Sequence, residues 1–287
     1  MNPAASFSQA SVGADVPDKA AIISDIHGNS PALQAVLDDI SQKGCSKIFV
    51  LGDIINGIDP LTCINLIRNC KNSVCLKGNA EFYVLTPDLE DFPRKNEPMY
   101  LELIPLLQWF KSQLSAHDLE WLHGLPDLIV WNGACFVHDS PLDRLSTKDK
   151  AISGIQEKYQ ELCSHAKGIT PDMPEADWEP LLIWMETQSL SQVFCGHTHL
   201  PFSKKMRGRF ICNVGSVGMP LDGDPRSSWV MVEVEPGEES LVTIHRVPYE
   251  VDQILNMVDD SPDYPDFKLP ADREAYKKTL ATGRFWR

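Results

Sequence analysis

Seven side chains able to coordinate a metal ion recur along the sequence in five short motifs. The motifs are Asp25-Ile26-His27-Gly28-Asn29, Gly52-Asp53-Ile54-Ile55-Asn56-Gly57, Gly78-Asn79-Ala80-Glu81, His138-Asp139-Ser140-Pro141 and Gly196-His197-Thr198-His199. Taken singly, most have an ordinary structural explanation, such as a turn leading into a helix, an Asx turn or a core histidine. His197 and His199 are more specific, because alternate residues of an extended segment face the same side and can converge on one ion.

Together the motifs offer a mixed set of ligand atoms. Carboxylate and amide oxygens with imidazole nitrogens, and no thiolate, suit borderline divalent cations, namely Mn, Fe, Co, Ni or Zn, with Mn favoured. Seven ligands are too many for one tetrahedral ion, but they fit two ions that share a bridging carboxylate. Asp53, central in the set, is the natural bridge.

The motifs follow predicted strands. Short apolar runs predict strands at Ala20–Ser24, Lys47–Leu51 and Val74–Lys77. Between them we expect one helix capped by Ser30 and ending at Gly44, and a second that begins at Pro60 with Leu61, Ile64 and Ile67 inward. This alternation indicates βαβ units and a largely parallel sheet, whose loops at the carboxyl ends of strands commonly hold ligands.

The rest of the chain is predicted to be helical in two stretches and β-rich near its end. Asn132-Gly133 is a strong hairpin signal between strands at Leu128–Trp131 and Ala134–Val137. Later strands are expected at Gln192–Cys195, Arg209–Asn213, Ser228–Glu233 and Leu241–Val247. We therefore predict a disordered tail at 1–18, one domain at 19–250 with helical insertions at 86–127 and 148–190, and a C-terminal helical extension at 251–287.

Composition narrows the class of protein. With 287 residues, 43% hydrophobic and 23% charged, the chain has the composition of an ordinary globular protein. A formal net charge of -14 disfavours an extensive nucleic-acid surface, and the absence of a long apolar run disfavours membrane insertion. No signal peptide is evident and the eight cysteines form no C-x-x-C pair, so a cytoplasmic location with reduced thiols is expected.

In their order along the chain, the motifs resemble those of the calcineurin-like metallophosphoesterases: D-x-H, G-D, G-N, a histidine after a strand, and G-H-x-H. The resemblance spans about residues 20–250, and SDIHGNSPALQAVL, VHDSP, GHTHLPF and NVGSVGMPLDGDPRSSW are similar to the small bacterial and archaeal phosphodiesterase branch. It implies an α/β fold, a four-layer α-β-β-α sandwich with two mixed sheets. It also implies two ligand sets: Asp25, His27, Asp53 and His199 for one ion, and Asp53, Asn79, His138 and His197 for the other.

The resemblance implies a dinuclear metal-dependent phosphoesterase acting on a small phosphoester. A hydroxide bridging the two ions would attack phosphorus in line, with Asp53, Asn79, His138 and His197 as the catalytic residues. Where phosphoprotein phosphatases carry an arginine shortly after the Gly-Asp motif, this chain has Asn56-Gly57. A phosphodiesterase is therefore the favoured reading, and a phosphomonoesterase is the alternative.

One departure from the family pattern concerns the general acid. Ala80 stands where many relatives have a histidine that protonates the leaving group, which leaves open a catalytically weak or inactive scaffold. Asp139 is either a substitute acid or an acceptor that orients His138. Two features remain ambiguous: Gly215-Ser216-Val217-Gly218 is a tight turn or a backbone contact to substrate, and Arg226 is a candidate phosphate contact beside Asp222 and Asp224.

Overall fold

The computed structural model describes residues 19–86, 98–142, 168–233, 240–261, 264–265 and 270–286. The predicted disordered tail at 1–18 and residues 148–167 of the second predicted insertion lie outside these ranges. The strands are β1 (Lys19–Ile23), β2 (Lys47–Val50), β3 (Ser73–Cys75), β4 (Leu128–Trp131), β5 (Ala134–Val137), β6 (Gln192–Cys195), β7 (Phe202–Met206), β8 (Arg209–Asn213), β9 (Ser227–Glu233) and β10 (Leu241–Val247). The helices are α1 (Ser30–Gln42), α2 (Pro60–Asn69), α3 (Asn79–Leu85), α4 (Pro98–Gln113), α5 (Ala116–Gly124), α6 (Glu175–Thr187), α7 (Val251–Asp259) and α8 (Pro270–Thr282).

Two mixed sheets of five strands each form the centre of the fold. The first has the order β10-β9-β1-β2-β3, and the second has the order β4-β5-β6-β8-β7. Strands β1, β2 and β3 run parallel to one another, as do β5, β6 and β8, whereas β9 pairs antiparallel with β1 and β10, β4 with β5, and β7 with β8. Every strand predicted from the apolar runs is present, with ends within two residues of those expected.

Among the described residues, the alternation of side chains along the strands creates three apolar cores. Ile22 and Phe49 of the first sheet face Phe136 and Phe194 of the second, and these residues fill the space between the sheets. The opposite face of the first sheet packs under α1, α2 and the C-terminal helices, and the opposite face of the second packs under α6, with Trp178 fully buried. The order helix, sheet, sheet, helix confirms the predicted four-layer α-β-β-α sandwich.

The helical predictions hold with two corrections at helix starts. Asn29, not Ser30, caps α1, because its Oδ1 accepts a hydrogen bond from the backbone N–H of Ala32 at 3.2 Å. Ser30 is the first helical residue, and its hydroxyl donates to Asp59, the cap of α2, at 2.6 Å. Leu61 is predicted to face inward, but it is exposed, because the buried face of α2 runs through Pro60, Cys63, Ile64 and Ile67 and Leu61 lies off that face.

Turn chemistry determines two hairpins at the edges of the second sheet. Asn132 and Gly133 both have positive φ, at 49° and 73°, which is the geometry that the Asn-Gly pair predicts between β4 and β5. The hairpin of β7 and β8 was missed, because β7 is an edge strand whose Lys204 and Lys205 give it little apolar pattern. Its turn at Arg207-Gly208 also has positive φ at both residues.

The described residues bear on three further expectations. Helices α4 and α5 occupy the first predicted insertion, and α6 lies in the second, whereas the division of the chain at residue 250 stays a prediction. The seven described cysteines are free thiols. Across the described ranges, no helix is long and apolar enough to cross a membrane.

Candidate metal centre

The predicted ligand residues all follow parallel strands. Three of these strands lie in the first sheet and two lie in the second. Asp25 and His27 come after β1, Asp53 after β2 and Asn79 after β3, whereas His138 follows β5, and His197 and His199 follow β6. Parallel strands end at the same edge of a sheet, and here the edges of the two sheets meet. The backbone N–H of His197, from the second sheet, donates to Asp25 Oδ2 at 2.8 Å, and the N–H of Gly218 donates to the Asp25 carbonyl at 3.0 Å.

The first predicted ligand set forms a compact group. The Nε2 atom of His27 lies 3.0 Å from Nε2 of His199, 3.7 Å from Asp25 Oδ1 and 3.8 Å from Asp53 Oδ2. The Nε2 atom of His199 is 3.2 Å from the same Asp25 oxygen. All of these side chains are buried, so the donor atoms face one another in a space shielded from bulk water.

The second predicted set lies directly beside the first. Asn79 Oδ1 is 2.9 Å from both His138 Nε2 and His197 Nδ1, and His138 Nε2 is 3.4 Å from Asp53 Oδ2. Asp53 Oδ2 therefore faces both sets, as a bridging carboxylate must. His138 Nε2 also lies 3.9 Å from Asp25 Oδ1, so Asp25 approaches the second set as well.

Backbone carbonyls determine which nitrogen of two histidines faces the centre. His138 Nδ1 lies 2.8 Å from the carbonyl of Leu51, and His199 Nδ1 lies 2.6 Å from the carbonyl of Met219. A carbonyl only accepts, so each Nδ1 carries a hydrogen, and each ring presents its Nε2 to the cluster. This arrangement is the one that metal-binding histidines adopt. The carbonyl of Leu51 is therefore an acceptor that orients His138 through Nδ1.

The cluster has the chemistry of a cation site. Asp25 Oδ1 is a fully buried oxygen without a hydrogen-bond partner among the described residues, and it points at imidazole nitrogens. Lone pairs of carboxylate, amide and imidazole groups at these separations repel one another unless a proton or a cation lies between them. The donor set of hard oxygens and imidazole nitrogens fits a borderline divalent ion.

The electrostatics of the cluster keep its carboxylates ionised. Burial acts to raise the pKa of Asp25, but the neighbouring His199 and His138 outweigh it and hold that pKa well below its usual value. Burial also acts to raise the pKa of Asp53, but the neighbouring His138 outweighs it and lowers that pKa. Burial acts to lower the pKa of His27, yet the two carboxylates raise it, so the cluster attracts positive charge.

Backbone strain is concentrated in the same loops. Positive φ angles occur at Asp25 (54°), His27 (48°), Asp53 (51°), His197 (68°) and His199 (60°). Each such residue costs of the order of 1–3 kcal/mol and persists only where surrounding contacts enforce it, and such residues collect at functional sites. The strain therefore points to this cluster as the functional centre of the molecule.

The structure shows the contacts of the two segments outside the ligand set whose roles the sequence leaves open. Ser216 donates to the Asp25 carbonyl at 2.7 Å, and a Cβ at Gly218 would lie 1.8 Å from the carbonyl oxygen of Ile26. Residues 215–218 therefore pack against the backbone of the Asp25 loop and stabilise its conformation. Arg226 is paired with Asp224, with Nη2 2.6 Å from Oδ2, and this pairing lowers the pKa of Asp224 to about 2.

Glu81 is a buried residue of the site, and the sequence motifs alone assigned it no role. Its carboxylate accepts hydrogen bonds from backbone N–H groups of the Asp53 loop and of Gly78. Burial and the charge of Asp53 raise the pKa of Glu81, while these hydrogen bonds act in the opposite direction. The signal that could have revealed it was its place at the third residue of α3, where a carboxylate can cap the helix start.

Comparison with known proteins identifies the family. Residues 19–201 match the family model described as calcineurin-like phosphoesterase. The chain belongs to the calcineurin-like phosphoesterase family. This phosphoesterase is also 30% identical over 250 residues to an uncharacterized protein of Methanocaldococcus jannaschii, an alignment that covers 80% of this chain and 88% of that one.

Solved structures agree with the fold. A metallophosphoesterase from Sphaerobacter thermophilus is 25% identical, with a TM-score of 0.62 over 92% of this chain and 99% of its own. A hypothetical protein from Pyrococcus horikoshii is 20% identical, with a TM-score of 0.67 over 93% and 99% of the two chains. The predicted family and fold are thus confirmed, and the family is one of phosphoester hydrolases.

Proposed function

We propose that this calcineurin-like phosphoesterase is a phosphodiesterase that works with two divalent cations, Mn²⁺ foremost among them. The observation that carries the proposal is the position of Asp53 Oδ2, 3.8 Å from His27 Nε2 in one ligand set and 3.4 Å from His138 Nε2 in the other. A single carboxylate oxygen shared by two groups of inward-facing donors is the arrangement that a pair of ions requires.

The residues divide into two ligand groups. Asp25, His27 and His199 would hold one ion, Asn79, His138 and His197 the other, and Asp53 both. Asp25 Oδ1 is free to bind because Asp25 Oδ2 is already occupied by the N–H of His197 at 2.8 Å. Asp53 is held in the same way, since its Oδ1 accepts from the N–H of Ala80 at 2.8 Å and its Oδ2 is left for the centre.

The role of these residues would be to bind the ions and to orient the ligand atoms. Water, and not a side chain, would supply the nucleophile. When bound, the two ions would lower the pKa of water to near neutrality and compensate the negative charge that develops on the phosphoryl oxygens. His197 fits a neutral ligand role, because burial lowers its pKa. The strained loops hold the donor atoms in place before the ions and substrate arrive, which reduces the reorganisation that the reaction demands.

The turn after the Gly-Asp motif supports a diester over a monoester. Phosphoprotein phosphatases carry an arginine in this stretch, which clamps the doubly charged phosphomonoester. Here a Cβ at Gly57 would lie 1.8 Å from the carbonyl oxygen of His27, so that position admits no side chain. Asn56 before it has φ of 71°, a conformation that asparagine tolerates better than arginine does.

The direct test is hydrolysis of bis-p-nitrophenyl phosphate beside p-nitrophenyl phosphate, by metal-stripped protein with and without Mn²⁺. We expect Mn²⁺-dependent turnover that favours the diester and is lost in Asp53→Asn. The matched control is Asp39→Asn, which changes a carboxylate on α1 that accepts from the Trp229 indole at 2.9 Å, outside the cluster. A preference for the monoester would make the protein a phosphomonoesterase. No turnover by folded protein with any divalent ion would favour a scaffold.

A further inference from the structure

Glu81 is a fully buried carboxylate whose bonding capacity is completely used by backbone amides. Its Oε2 accepts from the N–H of Gly78 at 2.7 Å and of Asp53 at 2.8 Å. Its Oε1 accepts from the N–H of Ile54 at 2.8 Å and of Ile55 at 3.2 Å. A carboxylate has about four acceptor sites, so no lone pair remains for a metal ion or a substrate.

These bonds tie together two loops that come from different strands. Asp53 follows β2 and Asn79 follows β3, and Glu81 reaches from α3 to the backbone of both loops. The loops are in close contact, since a Cβ at Gly78 would lie 2.0 Å from Asp53 Oδ1. The N–H of Ala80 also donates to that oxygen, so a shift of either loop would move the Asp53 carboxylate.

We propose that Glu81 is a positioning residue that sets the separation of Asp53 and Asn79 and thereby the affinity of the metal centre. This inference rests on the proposed function, because Glu81 has this task only if Asp53 and Asn79 are ligands. Glu81 also keeps Asp53 in its left-handed conformation, with φ of 51°, since the carboxylate bonds three successive N–H groups of that strained turn. Its negative charge behind the ligands adds to the attraction for cations.

Replacement of Glu81 by glutamine tests whether its charge and hydrogen bonds matter, because the volume of the side chain stays the same. Glu81→Gln preserves the shape of the side chain, but its amide NH₂ turns toward N–H donors in place of an oxygen. Two of the four hydrogen bonds then become donor-donor contacts, and the negative charge is lost. Glu81→Asp keeps the charge and is shorter by one methylene, so it should recover part of the function.

The experiment compares the metal-stripped full-length chain with Glu81→Gln, Glu81→Asp and Asp118→Asn. Asp118, on α5, is the matched control because its carboxylate also accepts a backbone N–H, from Ser115 at 3.0 Å, and pairs with Arg68 of α2 and with no residue of the ligand sets. Binding of Mn²⁺ is followed by the electron paramagnetic resonance signal of the free ion. The ligand geometry is followed by the visible absorption of bound Co²⁺, which a purely structural role would leave unchanged.

We expect Glu81→Gln to weaken Mn²⁺ binding about 10–100-fold and to alter the Co²⁺ spectrum, as loss of a group that orients ligands does. Glu81→Asp should fall between Glu81→Gln and the native chain, and Asp118→Asn should bind as the native chain does. A folded Glu81→Gln that binds Mn²⁺ within about threefold of the native chain, with an unchanged Co²⁺ spectrum, would overturn the inference while leaving the proposed function standing. If Glu81→Gln does not fold, Glu81→Asp decides by the same criteria. A native chain that binds neither ion would overturn the proposed function and this inference together.

Discussion

Replacing Asp53 by asparagine should weaken metal binding strongly without unfolding the protein. The variant keeps the hydrogen bond from Ala80, because an asparagine Oδ1 can accept it as the aspartate Oδ1 does at 2.8 Å. It loses the charged Oδ2 that faces His27 at 3.8 Å and His138 at 3.4 Å. The change therefore acts on the one atom that both ligand sets share.

The size of the effect follows from the lost charge. At about 4 Å and an effective dielectric constant of about 20, one unit of negative charge beside a unit cation contributes about 4 kcal/mol. That energy corresponds to about 10³-fold weaker binding, and the figure is a lower bound for a divalent ion in direct contact. In the metal-free protein the lost charge should also lower stability, because burial, which acts to raise the pKa of Asp53, is outweighed by His138 and His27, which lower it and so favour the ionised carboxylate in the folded state.

Thermal unfolding with and without Mn²⁺ measures both effects on one sample. At a free Mn²⁺ concentration of about 100 Kd, binding stabilises the native chain by about 2.7 kcal/mol. For a protein of this size that is a rise in Tm of about 5–10 °C. In Asp53→Asn we expect no rise at the same concentration and a metal-free Tm below that of the native chain, because the favourable interaction of the carboxylate with His138 is lost. Asp39→Asn should show the full rise.

Two results would refute this reasoning. A Mn²⁺-dependent rise in Tm of the same size in Asp53→Asn would show that Asp53 does not contact the ions. A metal-free variant that unfolds at or above the Tm of the native chain would show that the Asp53 charge does not stabilise the fold, contrary to its lowered pKa.

The remaining predictions concern the missing acid, the C-terminus and the start of α1. Ala80→His should raise kcat about 10²-fold on diesters with poor leaving groups and little on p-nitrophenyl esters; equal effects on both would argue against a missing general acid. Gly283→Ala should lower the free energy of unfolding by about 1–3 kcal/mol in a denaturant titration, because its φ is 63° and the new Cβ would lie 2.6 Å from the carbonyl carbon of Asp224. Asn29→Ala should cost about 1–2 kcal/mol in the same assay, since it removes the α1 cap and a 2.8 Å hydrogen bond to the Gly218 carbonyl; an unchanged midpoint would contradict this.

The parts of the fold that follow local rules could be predicted from the sequence. Apolar runs such as KIFV and ACFV predict buried strands, and Asn132-Gly133 predicts a hairpin, because side-chain period and turn geometry are local properties. Strand β7 escaped prediction because an edge strand with one solvated face needs little apolar content. The cap of α1 was misassigned to Ser30 because neighbouring Asn29 and Ser30 are both good caps, and only the backbone conformation decides between them.

The ligand types were determined by the sequence itself, since carboxylate, amide and imidazole groups directly after strands can be read from the motifs. Their convergence was decided by the tertiary structure, because two separate sheets must meet at their carboxyl edges before Asp25 can touch the His197 loop. The groups that orient the ligands are also products of the fold. The carbonyls of Leu51 and Met219 and the amides around Glu81 are backbone groups. Because almost every residue has these groups, the residue type at a position does not predict which of them will orient a ligand.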